Sequence, residues 1–450
     1  MTCNPSCTTV GMLSTEPSPN GLRGVVKPLK AIGVSPLSHE EDQVPPLRIP
    51  ISNILGGGDY TGQISIGSQA SVANVILDTG SSTLAVKPSV YNPATDADVS
   101  KTAFAQDIQY GTGGWTGPVV QTTVRMGEPG ASASVTAFVA LTDEQEPQNF
   151  GPADGILGLA FNALNNAYNL AHYLEFIGVS PPNTYPWPFP IKNTTAAVER
   201  FALFLTKMPQ LDLEPYFTAL ESAAVERNMF AFYTLRSVPS MRTADPATDP
   251  LNNGYFILGG GPEQSNLYSG NFLNVNVVDD LYYNTNLLFV QVGDGAPIAV
   301  PPLPPVYAKS LVSNSIVDSG TNILLVTPHV AQAIIEALVA LNPGFKPVLE
   351  RALQQGYIDA ARLNLEQWPP ISFLLQAETG SNPVPITCQP ATYWQTDSPQ
   401  AGQAMFMIAS APGNIQSILG LPLLNNYYAV FDRTQDAYGA IRFAPIVSPT

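Results

Sequence analysis

The sequence predicts a mainly β protein built as two lobes of one design, related by a pseudo-two-fold axis and carrying a few short helices. Three observations predict it. Segments rich in β-branched and aromatic residues alternate with Gly and Pro turns along most of the 450 residues. Helical periodicity is confined to a few short stretches. One pattern of eleven residues occurs twice, and a tetrapeptide follows each copy at a comparable distance.

Composition narrows the function before any motif is read. An apolar share of 45% excludes wholesale disorder, and the length allows more than one domain. Charged residues are only 12%, and the formal net charge is −16. Such a chain repels phosphate, so neither nucleic acid nor an anionic membrane surface is an expected partner. The three cysteines, Cys3, Cys7 and Cys388, argue against a disulfide scaffold. A zinc site is not expected, since the histidines are His39, His172 and His329 alone, far from any Cys pair. The first twenty residues lack a basic segment followed by an apolar run, and no 18-residue apolar stretch exists. With few cysteines, this favours the cytoplasm, with a secreted or periplasmic location as the alternative.

Along the chain, residues 1–46 are punctuated by prolines and read as an extended lead-in. Strand texture begins at 60–67, where residues alternate and end in Gly, and continues through 72–77. Residues 170–176 and 196–205 read as helices separated by a Pro-rich connector, and 212–227 as a further amphipathic helix. Strands return at 230–233, 256–260 and 275–278. Pro328 opens a helix to Leu341, with Thr327 as its expected N-cap. Strands close the chain at 427–431 and 440–443.

The repeat carries the functional argument. Ile76-Leu77-Asp78-Thr79-Gly80-Ser81-Ser82-Thr83-Leu84-Ala85-Val86 aligns without gaps to Ile316-Val317-Asp318-Ser319-Gly320-Thr321-Asn322-Ile323-Leu324-Leu325-Val326. Ile-Leu-Gly-Leu follows at 156–159 and again at 418–421. A lone Asp-Thr-Gly is ordinarily a turn in which Asp bonds its own backbone. A matched pair suits different chemistry. A strand delivers each Asp to a tight loop, and Gly80 and Gly320 are expected to allow positive φ and close approach. Two such carboxylates brought together cannot both ionise, so they share a proton. One then serves as general base to a water and the other as general acid to a carbonyl oxygen, hydrolysing an amide with no metal or cofactor. Thr79 and Ser319 can reach across to the opposite loop, while Ser81 and Thr321 can hydrogen-bond the carboxylates from outside.

Further segments extend the pattern: Gln109-Tyr110-Gly111-Thr112-Gly113-Gly114-Trp115-Thr116-Gly117, Ala153-Asp154-Gly155-Ile156-Leu157-Gly158-Leu159-Ala160, and Ser417-Ile418-Leu419-Gly420 with Tyr427-Tyr428-Ala429-Val430-Phe431-Asp432-Arg433. On these residues the chain resembles the pepsin-like aspartic peptidases over about 47–445, and among them the disulfide-poor bacterial pepsin homologues. The resemblance implies a bilobal acid-protease fold: an N-terminal lobe over 47–235, with a flap at about 105–120 and an insertion at about 162–207, and a C-terminal lobe over 236–450. It implies Asp78 and Asp318 as the catalytic pair. It also implies a flap of Tyr110, Gly111, Thr112 and Gly113 closing over an extended peptide, with Ile76 and Ile156 lining the groove. Peptide or protein substrates, cleavage between bulky apolar residues at acidic pH, sensitivity to pepstatin and a monomeric state follow from the same likeness.

Two departures stand out. Ala85 occupies the place where the family usually carries a Trp that positions the flap tyrosine, and Trp115 is the residue available to compensate. Leu421 stands where an Asp is common, which should lower the apparent pKa values of the pair. Other catalytic classes lack their signatures: there is no zincin helix, no Gly-x-Ser-x-Gly elbow and no Walker loop. The rival reading is a catalytically silent peptide-binding module of the same fold. Retention of Asp78, Asp318 and Tyr110 argues for the enzyme.

Overall fold

The computed structural model describes residues 25–26, 45–110, 113–128, 131–142, 150–187, 189, 195–223, 225–434 and 438–447. Most of the 1–46 lead-in, Cys3, Cys7, Gly111 and Thr112 lie outside the described residues. The chain is mainly β, and it divides into two compact units. The N-terminal unit holds Gly62–Arg227, and the C-terminal unit holds Arg48–Thr61 together with the chain from Asn228 onward. Residues 48–61, read from the sequence as part of the first lobe, are thus grouped with the C-terminal unit. Among the described residues no helix is long and apolar enough to cross a membrane.

In the N-terminal unit, long strands Ser100–Tyr110, Gly113–Glu128 and Ala131–Leu141 form an antiparallel meander. Their inward positions are Val, Ala, Phe and Thr, which suit a pleated, half-buried surface. The first two make the hairpin read as the flap, with Tyr110 opposite Gly113 and Ile108 opposite Trp115. Strand Asn166–Asn169 joins one edge, pairing with Phe104 and Ala105.

The expected helix over 212–227 is corrected here. Gln210–Leu213 is a strand that pairs antiparallel with Asn166, Ala167 and Tyr168. Only Tyr216–Ala223 is helical. Pro215 sits immediately before it, where its missing N–H costs nothing. The pairing partner lies some forty residues upstream, so local periodicity gives no sign of it. Helices Ala171–Phe176 and Thr195–Leu205 form as expected. Between and around them, Tyr173, Trp187, Phe189, Phe201 and Phe204 make a ring cluster with centroid spacings of 4.7 to 6.1 Å.

In the C-terminal unit, Met229–Tyr233 lies between Asn253–Leu258 and Tyr427–Asp432, and Ala440–Pro445 and Leu273–Asn276 continue the sheet. Its core is aromatic: Phe230 stacks on Phe431 at 4.9 Å, with Phe232, Phe256 and Tyr283 around them. A strand read at 275–278 spans Leu273–Asn276 instead. The Pro328–Leu341 helix has its expected bounds, but the Thr327 side chain makes no capping bond. The Thr327 backbone N–H is held instead by the Ser417 hydroxyl, at 3.3 Å.

Candidate active site

Each Asp loop is built on the same strand arrangement within its own unit. Ser71–Asp78 runs parallel to Gly155–Gly158, with Ile76 opposite Ile156 and Asp78 opposite Gly158. The chain then turns through the loop and returns as Leu84–Val86, antiparallel to the other side of Gly155–Gly158. In the C-terminal unit Ser315–Val317 runs parallel to Ser417–Leu419, and Leu324–Leu325 returns antiparallel to that strand. Ile316 faces Ile418 as Ile76 faces Ile156. The repeated Ile-Leu-Gly is therefore the strand that each Asp loop straddles.

The carboxylates are held alike. Asp78 Oδ1 accepts the Gly80 N–H at 2.7 Å, and Oδ2 accepts the Ser81 hydroxyl at 2.5 Å. Asp318 Oδ1 accepts the Gly320 N–H at 2.9 Å, and Oδ2 accepts the Thr321 hydroxyl at 2.6 Å. Both side chains are only 6–7% exposed. Each carboxylate thus receives a backbone and a side-chain donor, which together fix its plane. Thr79 and Ser319 are buried beside them.

One expectation fails. Neither Gly80 nor Gly320 adopts a positive φ. Glycine is demanded instead at Gly158 and Gly420. A Cβ on Gly158 would lie 2.4 Å from the Ser82 backbone, and one on Gly420 would lie 2.2 Å from the Thr321 and Ile323 carbonyl oxygens. The crossing strand passes so close beneath the Asp loop that no side chain fits between them. The signal was present in the repeated tetrapeptide, but its physical role shows only in the packing.

The residues expected to form a flap are reached in part. Tyr110 and Gly113 end and begin the hairpin strands and are described by backbone alone, and Gly111 and Thr112 lie outside the described residues. Trp115 is fully buried, and its indole N–H has no hydrogen-bond partner among the described residues. Ala85 is buried, opposite Ile156 on one side and Ala140 on the other. Ile76 and Ile156 pair directly and are nearly buried. Among the described residues no cluster of three His, Cys, Asp or Glu could hold a metal.

Sequence reasoning missed two groups. Asp96 is a buried carboxylate bonded by four donors, and Asn165 bridges the first Asp loop to the Ser100–Tyr110 strand. Neither belongs to a motif, because their partners are scattered along the chain.

Comparison with known proteins agrees with this construction. The eukaryotic aspartyl protease family matches residues 59–178 and 207–445. Pepsin A of Sus scrofa is 26% identical over 407 residues, covering 87% of this chain and 82% of that protein. Cathepsin D of Homo sapiens is 26% identical over 441 residues, covering 92% of this chain and 89% of that protein. Pepsin A of Bos taurus is 36% identical over 133 residues, which is 26% of this chain and 34% of that protein. These relatives lend no support to a cytoplasmic location or to a silent binding module. With both Asp loops and both Ile-Leu-Gly strands inside the matched spans, the chain belongs to the eukaryotic aspartyl protease family.

Proposed function

We propose that Asp78 and Asp318 form the catalytic pair of this aspartic endopeptidase, sharing one proton and acting together on a single water. The ionised carboxylate takes a proton from the water as its oxygen attacks the amide carbon. The protonated partner gives its proton to the carbonyl oxygen. Collapse of the tetrahedral intermediate breaks the C–N bond: the proton first taken from water passes to the leaving amine, and one hydroxyl of the intermediate returns its proton to the carboxylate that had donated one. The observation that carries this reading is the identical tethering of the two carboxylates: Gly N–H to Oδ1 and hydroxyl to Oδ2 in each unit.

In this reading the Ser100–Tyr110 and Gly113–Glu128 hairpin is the flap, closing over an extended peptide and excluding water. Substrates are peptides or proteins with bulky apolar residues on both sides of the scissile bond. Activity is bell-shaped and acidic because the shared proton must be retained. The enzyme acts as a monomer, and an acidic working range favours the secreted or periplasmic alternative. The test is hydrolysis of a quenched apolar peptide from pH 2 to 7, with and without pepstatin. Asp78→Asn and Asp318→Asn are each expected to lower kcat by roughly 100-fold or more while the protein stays folded. Substantial turnover by either variant would remove the pair from the mechanism.

A further inference from the structure

We infer that Asn165 is a positioning residue that couples the first Asp loop to the flap strand through its side-chain amide. The inference rests on the catalytic reading above. The Asn165 Oδ1 atom accepts the Thr83 hydroxyl at 2.9 Å and the Gln106 Nε2–H at 2.8 Å. Thr83 lies five residues beyond Asp78, and Gln106 four residues before Tyr110. One carbonyl oxygen thus joins two segments whose relative placement matters for the reaction.

The joint is closed on every side. Asn165 Nδ2 donates to the Leu213 carbonyl at 3.1 Å, and the Leu213 N–H returns to the Asn165 carbonyl at 2.8 Å. The second Gln106 Nε2–H goes to the Asn166 carbonyl at 3.1 Å. The Ser82 hydroxyl bonds the Phe161 carbonyl at 2.5 Å, and the Gly158 N–H bonds the Thr83 carbonyl at 3.0 Å. Thr83, Gln106 and Asn165 are each no more than 3% exposed. In such a dry setting no water replaces a lost partner, so the network is kept whole or loses much of its strength together.

The need for such a joint follows from Ala85. A methyl group donates no hydrogen bond, so the position that carries an indole in similar proteins cannot brace the flap here. The buried Trp115 supplies no hydrogen bond through its indole N–H among the described residues. The Thr83–Asn165–Gln106 chain supplies a polar brace from the same loop, attached lower on the flap strand. It fixes the hairpin strand at Gln106, near the base of a hairpin that closes over substrate.

The test reads one end of the network while changing the other. Thr83→Val removes the hydroxyl from the Asp loop without touching the flap. Amide hydrogen exchange across 104–110 and 113–117 is expected to quicken about tenfold, with other strands of the N-terminal unit unchanged. On the quenched apolar peptide, kcat/KM should fall about tenfold, and Thr83→Ser should restore both readouts. Gln106→Leu is the reciprocal variant, expected to quicken exchange in 79–86, and it decides the matter if Thr83→Val does not fold. Unchanged flap exchange, or exchange raised evenly over the whole unit, overturns the coupling. Absence of turnover in the wild type would instead remove the catalytic reading, while the exchange measurement would still test the joint.

Discussion

Replacing Asp96 with Asn should remove a pH-dependent share of the stability of the N-terminal unit. Asp96 is 8% exposed. Its Oδ1 accepts the Ser68 and Asp98 N–H groups at 2.8 and 2.9 Å. Its Oδ2 accepts the Tyr91 and Thr122 hydroxyls at 2.6 and 2.5 Å. The carboxylate therefore ties a turn, a loop and the Gly113–Glu128 strand. Burial alone would raise its pKa, but the four donors outweigh it and bring the value down to about 2 from 3.8. The folded-state pKa lies below the unfolded one, so the ionised group stabilises the fold fully above about pH 4. That contribution is lost as the pH falls through about 2. A shift of this size, discounted for solvent screening, is worth on the order of 2 kcal/mol. Asn keeps the Oδ1 acceptor but carries no charge, and its amide meets two hydroxyls that must turn to accept. Urea unfolding, followed by tryptophan fluorescence at several pH values from 2 to 7, gives the difference between wild type and Asp96→Asn. The gap at neutral pH should exceed the gap near pH 2 by about 2 kcal/mol, with the decline setting in below pH 4. A gap that is independent of pH, or that widens on acidification, would refute the reasoning.

Other expectations concern the carboxylate tethers, the crossing strand and the buried thiol. Ser81→Ala deletes the hydroxyl donor to Asp78, a charge-assisted bond worth about 1.5–3 kcal/mol. Hydrolysis of the quenched apolar peptide should lose roughly 10-fold or more in kcat/KM, and Thr321→Ala should act in the same direction through Asp318. Gly158→Ala forces a Cβ to within 2.4 Å of the Ser82 backbone and should cost about 3 kcal/mol or more, read as a lower urea midpoint. Cys388 is fully buried and its thiol pKa is raised by burial, so alkylation followed by peptide mass mapping should leave it unmodified in native protein and modify it fully in guanidinium.

Much of the site is legible in the residues alone, for a physical reason. The Asp loop, its hydroxyl at the third position onward and the Ile-Leu-Gly strand are contiguous segments, and their duplication separates them from a chance turn. Strand texture around 60–77, 230–233 and 427–431 is likewise local, because alternation and β-branching act within a few residues. Tertiary structure decided what depends on distant partners. Asp212 and Leu213 read as the start of a helix until Asn166–Asn169 offers their strand an edge. Gly158 and Gly420, not Gly80 and Gly320, carry the steric demand, since only the packed crossing reveals which backbone is approached. Asp96 and Asn165 look like ordinary polar residues in the chain. Burial turns each into a junction, because a polar group removed from water must find its partners wherever the fold brings them.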